Sequence, residues 1–334
     1  MKIGVTGIGS WPGQDFAAAQ RLLLGELGEA PDLAHLPQLP ARGVGSDMIG
    51  QAVALLDDLG VDLRPAGWRV TDAPGIDHRR AKARWREDLD LLEEQAQGYV
   101  GHFKIAVTGP WTLAAMVERP RGDRMLADHG ARRDLAGALA QGIASMVEEV
   151  HRRLPDLGLV LQLDEPLLPR IQAGQVRTAS GFSRFRSVEV AELSGALTAT
   201  LAAAQTAYPA LDSALHCCAT GLDIDMVYRA GFQSVSLPVN VIGDLDQIAS
   251  GVEAGHGLWL GVAPTDGPDQ PMRPDRLAKS ALRFLRPLEL GSAWDERLLL
   301  TPACGLAGWS PRPAVQLLRN LDEAAAIVSE ELAR

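Results

Sequence analysis

The chain has 334 residues, 46% of them hydrophobic and 22% charged, and a formal net charge of −10. A globular protein with a large core fits this composition, and α/β barrels commonly reach this length as one domain. The negative charge argues against surfaces for nucleic acid or anionic membranes, which require basic patches, so we expect neither kind of partner.

Eight short apolar runs along the chain predict β-strands. Several are apolar almost throughout, which is typical of parallel strands buried on both faces. Between them, longer Ala- and Leu-rich segments have the apolar spacing of helices packed on one side. The predicted strands are residues 2–10, 61–67, 103–109, 159–164, 212–218, 232–240, 258–264 and 297–304, and the clearest predicted helices are 15–28, 48–60, 134–154 and 190–208.

This alternation predicts the α/β class, and specifically a (β/α)8 TIM barrel. We expect residues 1–334 to form a single domain with an extended loop and helix segment near the N-terminus, at residues 12–47. Gly60 and Pro155 are predicted to end helices. A doubly wound open sheet is the alternative architecture, but it would not need eight evenly repeated units.

The cysteines and the first residues indicate a compartment. Cys217, Cys218 and Cys304 are too few, and odd in number, for a disulfide framework, which favours reduced thiols. Residues 1–13 read directly as strand and turn, unlike a signal peptide, and no apolar run reaches the roughly 18 residues that span a bilayer. We therefore expect a cytoplasmic protein.

Polar side chains follow the predicted strands at the points where the strands end. Active sites of (β/α)8 barrels lie at the carboxyl ends of the strands, so we expect these side chains to meet at one rim. They are Ser10, Trp68 and Thr108 after the first three strands, Asp164 and Glu165 after the fourth, His216 and Cys218 after the fifth, and Cys304 after the eighth.

Two thiols and an imidazole at this rim predict a zinc site. Zinc binds Cys sulfur and His nitrogen in tetrahedral geometry, and a catalytic zinc keeps one position open. We expect His216, Cys218 and Cys304 to bind Zn²⁺ and to leave the fourth position for substrate or water. Adjacent strand residues point to opposite sides, so Cys217 should not be a ligand. The alternative is that the cysteines are buried and only pack.

Short motifs in this order make the chain resemble the catalytic domain of cobalamin-independent methionine synthases. The resemblance implies a zinc-binding barrel that moves a methyl group from a folate to the sulfur of homocysteine. Full-length members carry a second, amino-terminal barrel, so the chain resembles a core-only member. The matching motifs are residues 6–12 (TGIGSWP), 47–48 (DM), 67–68 (GW), 108–112 (TGPWT), 162–166 (QLDEP), 216–218 (HCC) and 304–306 (CGL).

The resemblance also implies roles for individual residues. Asp164 is implied to be the catalytic-site carboxylate that pairs with the substrate ammonium, with a loop cap as its alternative role. Ile8, Gly9 and Ser10 are implied to hold the substrate carboxylate, although a plain Gly-rich turn would have the same sequence. Trp68 and Trp111 could flank a flat methyl donor, or they could simply pack.

Two carboxylates of the family are absent from the chain. The family has a glutamate as a further zinc ligand at the end of the sixth strand, where this chain has residues 236–240 (SLPVN). It has a substrate-binding glutamate before the aspartate at position 47, where this chain has residues 42–45 (RGVG). The fourth zinc position could therefore hold water, or Asp164, Glu165 or Asp266.

Three functions remain open from the sequence. The first is a zinc-dependent methyltransferase whose partners are a small-molecule thiol, homocysteine in the family, and a methyl-folate or methyl-corrinoid donor. The second is a lyase similar to uroporphyrinogen decarboxylase, which shares the barrel but needs no zinc. The third is a divergent, non-catalytic barrel. Metal analysis separates the first function from the other two.

Overall fold

The structure is a computed structural model that describes residues 2–267, 269–294 and 297–333. It confirms the α/β barrel. Eight parallel strands form one sheet in the order β1-β10-β9-β8-β7-β6-β5-β2. The strands of the described residues are β1 (Gly4–Val5), β2 (Ala34–His35), β3 (Val61–Arg64), β4 (Gly67–Val70), β5 (Gly101–Thr108), β6 (Leu157–Asp164), β7 (Asp212–His216), β8 (Ser234–Pro238), β9 (Gly257–Ala263) and β10 (Leu298–Pro302), of which β3 and β4 pair outside this sheet.

Helices follow the strands and cover the outside of the sheet. Asp15, Asp47 and Asp128 each cap a helix by accepting a backbone N–H of its first turn. The helices are α1 (Phe16–Leu27), α2 (Met48–Ala54), α3 (Ile76–Gln95), α4 (Pro110–Met116), α5 (His129–Arg153), α6 (Leu168–Gln172), α7 (Val190–Ala207), α8 (Ile224–Arg229), α9 (Leu245–Glu253), α10 (Pro274–Leu285) and α11 (Pro311–Leu332).

The two edges of the sheet meet and close the barrel. Thr6, just past β1, forms a parallel bridge with Leu33, just before β2. The Leu33 N–H donates to the carbonyl of Val5 at 2.9 Å. The carboxyl ends of all eight strands therefore surround a single mouth, which is the condition for distant parts of the sequence to share one site.

Apolar side chains fill both sides of the sheet. A small cluster of Leu33, Val160, Ala214 and Trp259 packs inside the barrel. The larger core lies between the strands and the surrounding helices. Among the described residues, no helix is both long and apolar enough to cross a membrane.

The prediction of residues 61–67 as a barrel strand is wrong. These residues belong to β3 and β4, which pair only with each other as an antiparallel hairpin. The hairpin turns near Gly67, whose φ of 127° is unfavourable for other residues. The second barrel strand is instead β2, which has two residues and lies in the Pro-rich segment before α2. A strand of two residues is too short to show an alternation of apolar and polar side chains.

Of the two predicted helix ends, the one near Pro155 is confirmed and the one at Gly60 is wrong. Helix α5 ends at Arg153, two residues before Pro155, as expected. Helix α2 ends at Ala54, so Gly60 does not end it. The carbonyl of Gly60 instead accepts the N–H of Thr71 at 2.8 Å, which ties the start of the hairpin together.

Candidate metal centre

The three predicted ligands come together at the mouth of the barrel. His216 is the last residue of β7, Cys218 lies two residues further, and Cys304 lies two residues past β10. One ligand atom from each lies within 4.8 Å of the other two. Within residues 2–267, 269–294 and 297–333, no fourth Asp, Glu, His or Cys joins this group. The set can therefore offer three protein ligands and one open position.

The His216 ring is oriented by Ser236 on the neighbouring strand β8. The Nδ1 atom of His216 lies 3.0 Å from Ser236 Oγ. The Nε2 atom is buried and has no hydrogen-bond partner among the described residues. A buried nitrogen without a partner is costly, and a metal ion would satisfy it. An imidazole anchored through one nitrogen and free at the other is the usual state of a metal-binding histidine. These residues therefore fit a zinc ion.

The two thiols at this centre differ in acidity. The Cys218 thiol and the His216 ring lie close to Cys304 and favour its ionised form, which lowers the pKa of Cys304 to about 4. The pKa of Cys218 is raised because its thiol donates to Cys304 and is partly buried. Cys304 is therefore the group that ionises first, and a thiolate is the form in which cysteine binds metal.

Cys217 faces away from this centre, as predicted. Its side chain belongs to the hydrophobic core between the sheet and the helices. Burial raises the pKa of its thiol to about 12, so it stays protonated. Its Sγ lies 3.7 Å from the carbonyl of Ala219, to which it donates.

We expect Cys217→Ala to keep the full zinc content of the wild-type protein. The Cys217 side chain is in the core and not in the ligand group, so its loss removes only a small packing contact. Elemental analysis of the purified variant tests this. Loss of zinc in Cys217→Ala, with zinc retained in Cys218→Ala, would show that the two cysteines exchange roles.

Asp164 lies beside the metal centre at the end of β6. It is paired in register with His216 on β7. Its Oδ1 accepts a hydrogen bond from Gln162 Nε2 at 2.7 Å. Burial raises the pKa of Asp164 to about 6, against the opposing effects of His216, Gln162 and Lys104. A carboxylate beside His216 and Cys304 is well placed to bind a cationic group of a ligand.

Glu165 points the other way and caps helix α4. Its carboxylate accepts the N–H groups of Trp111 and Thr112, both at 2.8 Å, and the Thr112 hydroxyl at 2.7 Å. Gly109 leaves the room for this carboxylate, since a Cβ there would lie 2.3 Å from Glu165 Oε1. Burial raises the pKa of Glu165 to about 7. The Glu165 carboxylate is thus occupied by the first turn of α4 and does not join the three candidate metal ligands.

The loop after β1 packs against the loop that carries Cys304. The Leu306 N–H donates to the carbonyl of Ser10 at 2.8 Å. A Cβ at Gly305 would lie 2.6 Å from the Cβ of Ser10, so glycine is required for this approach. The Ser10 hydroxyl lies 3.4 Å from Gln38 Oε1. Ser10 therefore lies beside the loop that carries Cys304, and the role of Ile8, Gly9 and Ser10 in holding a substrate carboxylate stays a prediction.

The two predicted tryptophans are both buried in packing positions. Trp68 is on β4 of the hairpin, not at the end of a barrel strand, because residues 61–67 do not enter the barrel. Trp111 is on α4, and its indole N–H donates to the carbonyl of Leu193 on α7 at 3.0 Å. Their roles beside a methyl donor stay predictions.

A lysine inside the barrel was missed by the sequence reasoning. Lys104 on β5 is fully buried and donates to the carbonyl of Gly7 and to Gln162 Oε1. Its Nζ also lies 5.2 Å from the centre of the Trp259 ring. Burial lowers the pKa of Lys104 to about 7. The signal for it was present, because a lysine in the middle of an otherwise apolar buried strand is rare.

A cavity of about 730 Å³ opens beside the metal centre. It extends across the ends of β8 and β9 to helix α10. Three basic residues of α10, which have no ion-pair partner among the described residues, line its outer part. The lining includes Cys218, Cys304, Pro238, Arg276, Lys279 and Arg283.

The two segments where the family has its further carboxylates make other contacts in this chain. Arg42 forms an ion pair with Asp88 of α3 at 2.6 Å, and Asp88 is almost fully buried. Pro238 ends β8 and lines the cavity. Asp266 also lines this cavity, but it is not part of the three-residue ligand group.

Comparisons with known proteins agree with this geometry. Residues 100–327 match the family model described as the catalytic domain of cobalamin-independent synthases. The matched part contains Asp164, His216, Cys218 and Cys304, but not residues 8–10. A search of curated protein sequences finds no match.

The chain superposes on solved structures over nearly its whole length. A B12-independent methionine synthase from Shewanella sp. W3-18-1, in complex with selenomethionine, superposes with a TM-score of 0.61 at 16% sequence identity, covering 99% of this chain and 98% of that chain. A β-galactosidase from the psychrophilic Marinomonas ef1 superposes with a TM-score of 0.48 at 12% identity, covering 99% of this chain and 59% of that chain.

Proposed function

The chain belongs to the catalytic-domain family of cobalamin-independent methionine synthases, and on this premise we propose that it transfers a methyl group to the sulfur of homocysteine with zinc bound by His216, Cys218 and Cys304. One observation carries the proposal: one ligand atom from each of the three residues lies within 4.8 Å of the other two at the barrel mouth, and His216 has a buried ring nitrogen, Nε2, without a partner among the described residues.

Each part of the site has a distinct task in this reaction. Zinc, when bound, would supply the positive charge that favours the ionised form of a substrate thiol at neutral pH. Asp164 binds the ammonium group of the amino acid, and the loop of Ile8, Gly9 and Ser10 holds its carboxylate. Cys218 and Cys304 add negative charge to the centre, so the substrate sulfur keeps its nucleophilicity.

The transfer itself is a displacement at the methyl carbon. The substrate sulfur forms a bond to that carbon while the bond from the carbon to the donor atom breaks. The electron pair of the broken bond stays on the donor. With a methyl-folate the leaving nitrogen takes up the proton that the thiol has lost, and with a methyl-corrinoid that proton passes to solvent. The protein contributes by holding the sulfur in line with the donor.

The cavity beside Cys218 and Cys304 has room for the methyl donor. Its volume of about 730 Å³ is within the range of small-molecule sites. The basic side chains of α10 favour a donor with anionic groups, which a methyl-folate carries on its glutamate portion. A methyl-corrinoid is the second candidate donor.

An isotope-transfer assay tests the proposed function. Zinc-loaded protein is incubated with homocysteine and a donor whose methyl group is labelled, either methyl-folate or methyl-corrinoid. We expect label in methionine with one donor, and no label after zinc is removed by a chelator. Absence of labelled methionine with both donors would favour a non-catalytic barrel.

A further inference from the structure

Two buried polar side chains connect the substrate-holding parts of the site. Lys104 on β5 and Gln162 on β6 both have no exposed surface. They are neighbours across the β5–β6 pair and meet inside the barrel, where Lys104 Nζ donates to Gln162 Oε1 at 2.6 Å. The mechanism above gives neither residue a role, yet burying an amine and an amide is costly unless their hydrogen bonds are satisfied.

The lysine fixes which way the Gln162 amide faces. A lysine ammonium has only donors, so the amide oxygen must face it. The amide nitrogen then faces the opposite side, where it finds two acceptors. Gln162 Nε2 donates to the carbonyl of Ile8 at 2.7 Å and to Asp164 Oδ1 at 2.7 Å. Both protons of the amide are used.

These two acceptors belong to the two groups proposed to hold the amino-acid end of the thiol. Ile8 belongs to the loop for the carboxylate, and Asp164 is the partner of the ammonium. Ile8 and Asp164 are 156 positions apart in the sequence. The side-chain amide of Gln162 bridges them. Lys104 adds a second tie by donating to the carbonyl of Gly7, the residue before Ile8.

We propose that Gln162, held by Lys104, is a positioning residue that sets the spacing between the carboxylate loop and Asp164, and so makes the site selective for thiols that carry an α-amino acid group. The inference rests on the proposed function, since it takes the acceptor to be an amino-acid thiol. Gln162 acts through Ile8 and Asp164 and not through contact with the metal centre.

The variant Gln162→Met tests this role because it keeps the volume and removes both donors. The probes are homocysteine and propanethiol, which share the sulfur but differ in the amino-acid group. Their dissociation constants are measured by the absorption change of cobalt-substituted protein. We expect homocysteine binding to weaken roughly 10- to 100-fold, the scale for a lost hydrogen bond to a charged group, and propanethiol binding to stay unchanged.

Gln20→Met is the matched control. Gln20 is also fully buried, but it lies on α1 and its amide has no hydrogen-bond partner among the described residues. The same substitution there should leave the affinities for both thiols unchanged. Lys104→Met should reproduce part of the selective loss for homocysteine, because it removes the donor that holds Gln162 Oε1 and the carbonyl of Gly7.

The outcomes separate the inference from the function on which it rests. Equal weakening of both thiols in Gln162→Met would assign Gln162 a purely structural role and overturn the inference. So would unchanged homocysteine binding. If the wild-type protein itself shows no preference for homocysteine over propanethiol, the proposed acceptor is wrong, and the inference falls with it.

Discussion

Serine in place of Cys218 or Cys304 is expected to reduce the zinc content from one ion per chain to almost none. Each change removes one of three protein ligands and replaces a soft thiolate with a hydroxyl that zinc binds poorly. The effect should be large because the described residues offer no fourth ligand within reach. Elemental analysis of protein purified without a histidine tag measures it.

The fold should survive both substitutions. The two thiols lie at the mouth, while the core between sheet and helices and the cluster inside the barrel contain neither of them. Circular dichroism and thermal unfolding of the metal-free variants should therefore match those of the metal-free wild-type protein. Cys217→Ser is the matched control and should keep its zinc. Full zinc retention in both Cys218→Ser and Cys304→Ser would remove the proposed metal centre.

Asp164→Asn is expected to lower kcat/KM for homocysteine by about two to three orders of magnitude. The change removes the negative charge opposite the substrate ammonium but keeps the shape and one acceptor oxygen. Truncating one partner of a buried charge pair typically costs about 2–5 kcal/mol. Zinc content should stay at the wild-type level, because Asp164 is not in the ligand group.

Glu165→Gln is the control for Asp164→Asn. It changes the neighbouring carboxylate in the same way, but that carboxylate caps α4 and faces away from the centre. We expect a lower melting temperature, since the new amide N–H groups would face backbone donors, and an unchanged KM for homocysteine. If the two variants lose activity equally, the loss does not come from the substrate ammonium.

The clustering of the three candidate metal ligands could be predicted from sequence because their chemistry is local. His216, Cys218 and Cys304 each follow an apolar run that does form a strand of the barrel. Zinc requires particular residue types, so their presence at strand ends was informative even before the closure of the barrel was known. The alternation of adjacent strand residues also placed Cys217 correctly in the core.

The second barrel strand could not be predicted for a physical reason. Ala34–His35 forms two residues of strand between prolines and turns, too short to show an alternation of apolar and polar residues. The hairpin of β3 and β4 has a stronger strand pattern, so the sequence predicts a barrel strand at residues 61–67. Trp68 was placed at a strand end of the barrel only as a consequence of that assignment.

The network of Lys104 and Gln162 shows a different limit. Both residues lie in runs whose apolar character predicted strands, and nothing local reveals that their side chains meet. Their contacts join β5 and β6 to the loop after β1, so they depend on the closed barrel. Sequence patterns predict elements better than they predict contacts between distant elements.

X-ray absorption at the zinc edge, with and without homocysteine, tests the central claim most directly. The protein alone should show two sulfur neighbours of zinc, from Cys218 and Cys304, together with nitrogen or oxygen neighbours. Addition of homocysteine should raise the number of sulfur neighbours to three, with loss of one lighter neighbour. A spectrum that does not change with homocysteine or with any other thiol would contradict the account.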